Sequence, residues 1–150
     1  MPSDSTGTSP ESGGERHLIV EIRGGLYGIG STAVREIVTV LEATRLPGAP
    51  PHVRGVVNLR GKLLTVVDVG HRLTGTPTTA SDGSIVVISS AERTLGLLVE
   101  DVHDVQELHI VPTEREVLAQ ADGLLTGVGR LSDEVVLVID IPELVRQTLA

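Results

Sequence analysis

The chain has 150 residues, with 20 acidic and 12 basic side chains and a formal net charge of −8. It contains no Cys, Phe or Trp and a single Tyr, which excludes disulfides, thiolate catalysis and Cys-based zinc sites and requires an aliphatic core. One Lys on an acidic chain argues against nucleic acid as a partner, because nucleic-acid-binding proteins carry a broad basic surface.

Residues 1–16 are Ser, Gly, Thr, Pro and charged residues, with no apolar side chain after Met1. Such a segment cannot bury enough surface to offset the entropy of ordering, so we expect a disordered tail. The tail also lacks the apolar centre of a signal peptide, and no apolar run approaches the ~20 residues of a membrane span. We therefore expect a cytoplasmic protein with no direct membrane insertion.

Residues 17–150 form a series of short runs rich in Val and Ile and separated by Gly, Pro, Ser or Asp, a pattern that favours strands. The ten predicted strands are 18–22, 26–29, 34–41, 53–59, 63–69, 85–89, 94–99, 102–110, 124–128 and 135–139. The capping box of Thr113 and Glu116 predicts a short helix over 112–120, and Pro142 predicts a C-terminal helix. The fold class is therefore mainly β, and strands this short favour closed barrels over one open sheet.

The chain also repeats itself. Residues 55–69 align without gaps with residues 127–141, at an offset of 72, and residues 28–37 match 96–105 at an offset of 68. Leu46-Pro47 matches Val111-Pro112 at an offset of 65. Three matches in the same order indicate an internal duplication. We expect two five-stranded units, roughly 17–85 and 86–150, which are too small to stand alone and pack together with a groove at their seam.

The duplication separates structural residues from functional candidates. Asp68 and Asp140 are equivalent, which favours strand-end caps over a catalytic carboxylate pair. In contrast, the sequence NLRG at 58–61 is replaced by RLSD at 130–133, so it is not needed to build the hairpin. Gly61 provides the positive φ of a tight turn, which would fix the direction of Arg60.

Charge is unevenly distributed along the sequence. Residues 43–67 contain three Arg and one Lys but no acidic residue, whereas Glu100, Asp101, Asp104 and Glu107 form an acidic cluster. Two interpretations remain open. Either these residues form an ordinary solvated surface, or they form an interaction surface that aligns a charged partner in one register.

These segments together resemble the CheW-like coupling proteins of bacterial chemosensory arrays. The resemblance rests on LYGI at 26–29, VREI at 34–37, LPGAP at 46–50, GVVNLRG at 55–61 with a strand ending at Asp68, LGLLVEDV at 95–102 and LLTGVG at 124–129. It covers about residues 17–149 and implies two intertwined SH3-like five-stranded β-barrel subdomains. Leu18 replaces a usual aromatic residue and Thr65 a frequent Pro, and neither change breaks the strand pattern.

The resemblance implies a non-catalytic adaptor without a cofactor. Its partners would be the regulatory domain of a CheA-type histidine kinase, which has the same double-barrel fold, and the cytoplasmic tip of methyl-accepting chemotaxis receptors. The protein would be cytoplasmic and recruited to membrane receptor arrays.

The resemblance also implies a receptor-facing surface near the seam between the barrels. Its residues are Val34, Glu36, Gly55, Arg60, Gly61, Gly96, Val102 and Val105. The valines either line an apolar groove for a helical hairpin or belong to the core, and the glycines would allow close backbone approach. Arg60 would bind receptor carboxylates or brace Glu36 across the seam.

The alternative function is a small-molecule-binding or regulatory β-barrel that uses the seam groove. The residues give it little support. His103 and His109 are six apart on one run, without an evident third ligand, and are expected to face solvent. The glycine-rich segment 123–129 lacks the Lys-Ser/Thr of a phosphate loop. We therefore assign no catalytic, cofactor-binding or metal-binding residues from the sequence.

Overall fold

A computed structural model describes residues 15–39, 42–78, 83–111 and 121–149. The strands are β1 Glu15–Ile22, β2 Gly25–Gly30, β3 Val34–Thr39, β4 Val53–Leu59, β5 Lys62–Asp68, β6 Ser84–Ser90, β7 Arg93–Val99, β8 Asp101–Val111, β9 Leu125–Leu131 and β10 Glu134–Ile139. The helices are α1 Val69–Thr74, α2 Ile141–Leu149 and a 3₁₀ turn at Ser31–Ala33. The prediction of a mainly β fold with short helices is confirmed.

Each predicted strand has a counterpart in the structure, and the differences lie at the ends of the elements. β1 begins at Glu15, and Glu15 and Arg16 pair with Leu108 and Glu107 of β8, so these two residues of the predicted tail, 1–16, belong to a strand. The sequence did not predict α1. The predicted helix at 112–120 and residues 1–14 lie outside the described residues.

The strands form two five-stranded sheets. The first sheet has the order β1-β2-β10-β9-β8 and closes into a barrel, and the second has the order β3-β6-β7-β5-β4. Each sheet takes strands from both sides of the boundary predicted near residue 85: β1 and β2 join β8, β9 and β10, whereas β6 and β7 join β3, β4 and β5. The two predicted units therefore exchange their first two strands. The resemblance implied intertwined units, but local sequence patterns do not reveal which strands are exchanged.

The internal repeat is kept in register. Val66 of β5 lies opposite Gly96 of β7, and Val138 of β10 lies opposite Gly28 of β2. These parallel pairs are related by the predicted offsets of 72 and 68. The β4–β5 and β9–β10 hairpins are also equivalent, since Gly55 faces Val66 in one and Gly127 faces Val138 in the other. The predicted correspondence of the two hairpins is confirmed.

The core consists of three clusters. The largest lies between the two sheets, packs against α2 and includes Val20, Val86, Leu97 and Leu144. The second cluster, with Leu64 and Val66 among its members, lies on the opposite face of the second sheet. The third cluster, around Leu108 and Val136, fills the barrel formed by the first sheet. Central strands are thus covered on both faces, which explains why they are almost continuously apolar rather than alternating.

Candidate partner-binding surface

The β4–β5 turn explains the NLRG sequence. Arg60 has φ of 52° and Gly61 has φ of 87°, and two successive positive values are typical of a type I′ hairpin turn. Leu59 and Lys62 pair across the turn, and the Asn58 Oδ1 accepts a hydrogen bond of 2.8 Å from the Gly61 amide. The turn therefore has a defined geometry, as predicted, and it holds the Arg60 backbone in one orientation.

Arg60 forms an ion pair with Glu36 of β3. The Arg60 side chain is 66% exposed and the Glu36 side chain 35% exposed, so the guanidinium keeps donors available to solvent or to a partner. β3 and β4 are the two outer strands of the second sheet. The pair therefore joins the two ends of one sheet and does not cross the seam between the sheets, which corrects the expected location of the contact.

A cleft of about 450 Å³ lies beside this ion pair. Its lining includes Arg35, Arg60 and Lys62, one carboxylate from Glu36, and the apolar side chain of Leu63. Leu63 is 79% exposed, the highest value among the large hydrophobic side chains that the structure describes. The cleft thus combines excess positive charge with an exposed apolar side chain, and both could contact a partner that has an apolar surface and acidic groups.

Gly55 and Gly96 contact other parts of the same chain rather than open space. Gly55 has φ of 139°, and a Cβ atom there would lie 2.2 Å from the Thr44 carbonyl oxygen. Gly96 is buried, and a Cβ atom there would lie 2.9 Å from Ile85 and 3.0 Å from Leu64. Both glycines therefore allow close packing within the second sheet. On the side where a Cβ atom would point, the close approach at both glycines is therefore made by this chain itself, and their contact with a partner stays a prediction.

The three candidate valines divide into two kinds. Val34 and Val102 are partly buried against the cluster between the sheets, so they contribute to the core. Val105 is 37% exposed, and its repeat equivalent Ile37 is 45% exposed. Val105 pairs with Leu18 and Ile37 pairs with Val86. Leu18 and Val86 are themselves related by the offset of 68. The alignment at an offset of 68 relates Ile37 to Val105. It could therefore have indicated Ile37 as a second exposed candidate, which the sequence analysis does not include.

The equivalent aspartates lie at strand ends, as predicted, and each caps the helix that follows its strand. Asp68 Oδ1 accepts a hydrogen bond of 3.0 Å from the His71 amide at the start of α1, and Asp140 Oδ1 accepts one of 3.0 Å from the Glu143 amide at the start of α2. Asp68 also accepts bonds of 2.7 Å from the amide and the hydroxyl of Thr78. The two carboxylates therefore have structural roles.

The displaced pKa values lie outside the Arg60–Glu36 cleft and have local causes. Burial raises the pKa of the Tyr27 hydroxyl. Burial, followed by the positive charge of Arg72, lowers the pKa of His52. In α2, hydrogen bonds from Arg146 and then Gln147 lower the pKa of Glu143 to about 2.

Comparison with known proteins identifies the family. A model described as a CheW-like domain matches residues 16–149. Chemotaxis protein CheW of Klebsiella aerogenes is 28% identical over 138 residues, which cover 89% of this chain and 83% of that protein. Chemotaxis protein CheW of Bacillus subtilis is 30% identical over 112 residues, which cover 74% and 69% of the two chains.

A solved structure supports the fold. The scaffolding protein TtCheW from Thermoanaerobacter tengcongensis matches with a TM-score of 0.73 at 23% identity, over 85% of this chain and 89% of that one. Within the described residues, no helix has the length and apolar character needed to cross a membrane. Because the family model spans all the strands and both helices described above apart from the first residue of β1, the chain belongs to the CheW-like domain family.

Proposed function

We propose that this chain is a non-catalytic chemotaxis adaptor that couples a CheA-type histidine kinase to methyl-accepting chemotaxis receptors. The regulatory domain of the kinase and the cytoplasmic tip of the receptor are the two partners. The match of the family model over residues 16–149 carries this proposal. The alternative, a β-barrel that binds small molecules at its seam, is not favoured, because relatives aligned over most of the chain are chemotaxis proteins.

The proposed location follows from the partners. The adaptor would be cytoplasmic and would gather at the membrane through receptor arrays. Such contacts are individually modest and gain strength when several are made at once.

The proposed receptor-facing surface centres on the Arg60–Gly61 turn. Glu36, Arg60, Gly61 and Val105 have the exposure or turn position needed for direct contact. Val34 and Val102 would contribute through their exposed parts, while Gly55 and Gly96 would shape the second sheet. The turn sequence is absent from the otherwise equivalent β9–β10 hairpin, so a role beyond folding explains why Arg60 is found in only one copy.

The variant Arg60→Glu tests this surface. We expect its free energy of unfolding to change by no more than about 1 kcal/mol, because the side chain is mostly exposed. We expect binding to a receptor-tip fragment to be lost, because the reversed charge would repel acidic groups on the partner. Binding to the kinase regulatory domain should persist. Titration calorimetry with each partner gives both affinities.

Ser132→Glu is the matched control, since Ser132 occupies the equivalent turn position and also has a positive φ, of 54°. It should retain receptor binding. A folded Arg60→Glu variant with normal receptor affinity would contradict the site, and loss of folding would show that Arg60 is structural.

A further inference from the structure

A second cluster of side chains lies where β1 meets β8, away from the Arg60–Glu36 cleft. We propose that Glu21, Asp101 and His103 bind one divalent transition-metal ion of the zinc type. This proposal does not depend on the proposed function. His103 is exposed, as the sequence predicted, but the structure also places two carboxylates near it that the sequence did not reveal.

The strand register brings the three side chains together. Glu21 of β1 lies directly opposite Asp101 of β8, and His103 follows Asp101 by two residues, so both point to the same face of β8. The His103 Nε2 lies 3.3 Å from the Glu21 Oε1. One ligand atom from each of the three residues lies within 4.8 Å of the others. The amide of Val102 donates to Asp101 Oδ1 at 2.9 Å and so helps to orient that carboxylate.

The surrounding charge favours a cation. Two carboxylates directly opposite each other on paired strands repel, which destabilises the pairing unless a positive charge lies between them. Glu21 and His103 also line a cleft of about 500 Å³ together with Asp104 and Glu134. Among the described residues, no Arg or Lys lines this cleft. Apart from His103, which itself lies 3.3 Å from Glu21, no basic side chain among the described residues lines this cleft to balance its carboxylates.

The donor types indicate which ion would bind. An imidazole nitrogen with carboxylate oxygens suits zinc, nickel or copper, whereas calcium and magnesium prefer oxygen ligands alone. Zinc bonds to His and carboxylates of about 2.0–2.2 Å place tetrahedral ligand atoms roughly 3.4 Å apart. Small side-chain rotations would bring these three groups to that spacing, with water as a fourth ligand. The ion would then link β1 to β8, the pairing that closes the first sheet.

Titration calorimetry of the untagged full chain with Zn²⁺ tests the proposal. We expect one ion per chain, and a thermal unfolding midpoint that rises with Zn²⁺ because the ion binds the folded state. His103→Gln should weaken Zn²⁺ binding by about tenfold or more, because loss of an outer-shell partner alone typically costs about 10–100-fold in metal affinity, and it should remove the rise in the midpoint. Ca²⁺ should bind much more weakly than Zn²⁺.

His109→Gln is the matched control, because His109 is exposed on the same strand but lies opposite Arg130. It should bind Zn²⁺ as the unaltered chain does. Glu21→Gln, which keeps the side-chain shape, should weaken binding and would test the site independently if His103→Gln does not fold. Equal Zn²⁺ affinity in the unaltered, His103→Gln and Glu21→Gln chains would overturn the proposal, as would Ca²⁺ binding as tight as Zn²⁺ binding.

Discussion

At the scale of single residues, Arg60 illustrates what sequence reasoning can achieve. The comparison between the two copies singled out Arg60, and the turn chemistry of Gly61 predicted a fixed backbone. The sequence leaves two partners open for Arg60, a receptor carboxylate and Glu36. The structure shows the Glu36 contact and places it within one sheet rather than across the seam. The sequence could not predict this location, because it does not reveal which strands share a sheet.

The Arg60–Glu36 ion pair itself should contribute little to stability, because exposed pairs are typically worth about 0–1 kcal/mol. A charge swap, Arg60→Glu combined with Glu36→Arg, tests whether the pair or the partner requires Arg60. We expect the double variant to fold normally and to remain unable to bind the receptor-tip fragment, since Arg60 is mostly exposed and available to the partner. Calorimetric titration provides the measurement, and recovery of binding in the double variant would show that Arg60 acts only by bracing Glu36.

Two glycines show what the sequence cannot predict at the scale of single residues. Sequence patterns located Gly55 and Gly96 but not the atoms around them. Thr44 fills the space beside Gly55, and Ile85 and Leu64 fill the space beside Gly96. These neighbours are brought in by strand pairing, so a glycine that packs within the sheet and one that admits a partner have the same appearance in the sequence.

At the scale of elements, the two hairpins were predictable because the repeat preserves strand pattern, turn position and terminal aspartate together. The helix α1 was missed because its six residues, VGHRLT, are too few to show a helical period. The repeat indicated this helix, because Asp68 is equivalent to Asp140, and Asp68 caps α1 as Asp140 caps α2. Extending the alignment past the aspartates would have predicted it.

The two caps should differ in strength. Asp68 is 1% exposed and serves both α1 and Thr78, which is itself 2% exposed. We expect Asp68→Ala to lower the free energy of unfolding by about 3 kcal/mol, because it removes a cap and leaves buried donors unsatisfied. Asp140→Ala should lower it by about 1 kcal/mol, the usual value for a cap alone.

Urea-induced unfolding followed by circular dichroism would measure both variants. Equal losses would contradict the additional role assigned to Asp68.

At the scale of the whole molecule, the fold class was predictable, since Val and Ile, short runs and turn residues all favour strands. The resemblance implied intertwined halves, but the sequence did not show which strands are exchanged between the repeats. Both the exchanged and the unexchanged arrangement satisfy the same local pattern, and only the packing between the sheets distinguishes them. That packing includes the largest core cluster, so much of the stability depends on both halves.

We therefore expect fragments 1–83 and 84–150 to unfold without a cooperative transition when each is alone, because neither can bury the surface between the sheets. Mixing the two fragments should restore a cooperative transition. Thermal unfolding monitored by circular dichroism checks both statements. A cooperative transition in one isolated fragment would show that a repeat can close on itself.

The central claim is that this chain joins two partners at once. Co-sedimentation of a chemotaxis kinase with receptor-bearing membranes, in the presence and absence of this chain, tests it most directly. We predict that the kinase is recovered with the membranes in much larger amount when the chain is present, and that Arg60→Glu removes this increase while Ser132→Glu does not. Equal recovery of the kinase with and without the folded, unaltered chain would contradict the adaptor function.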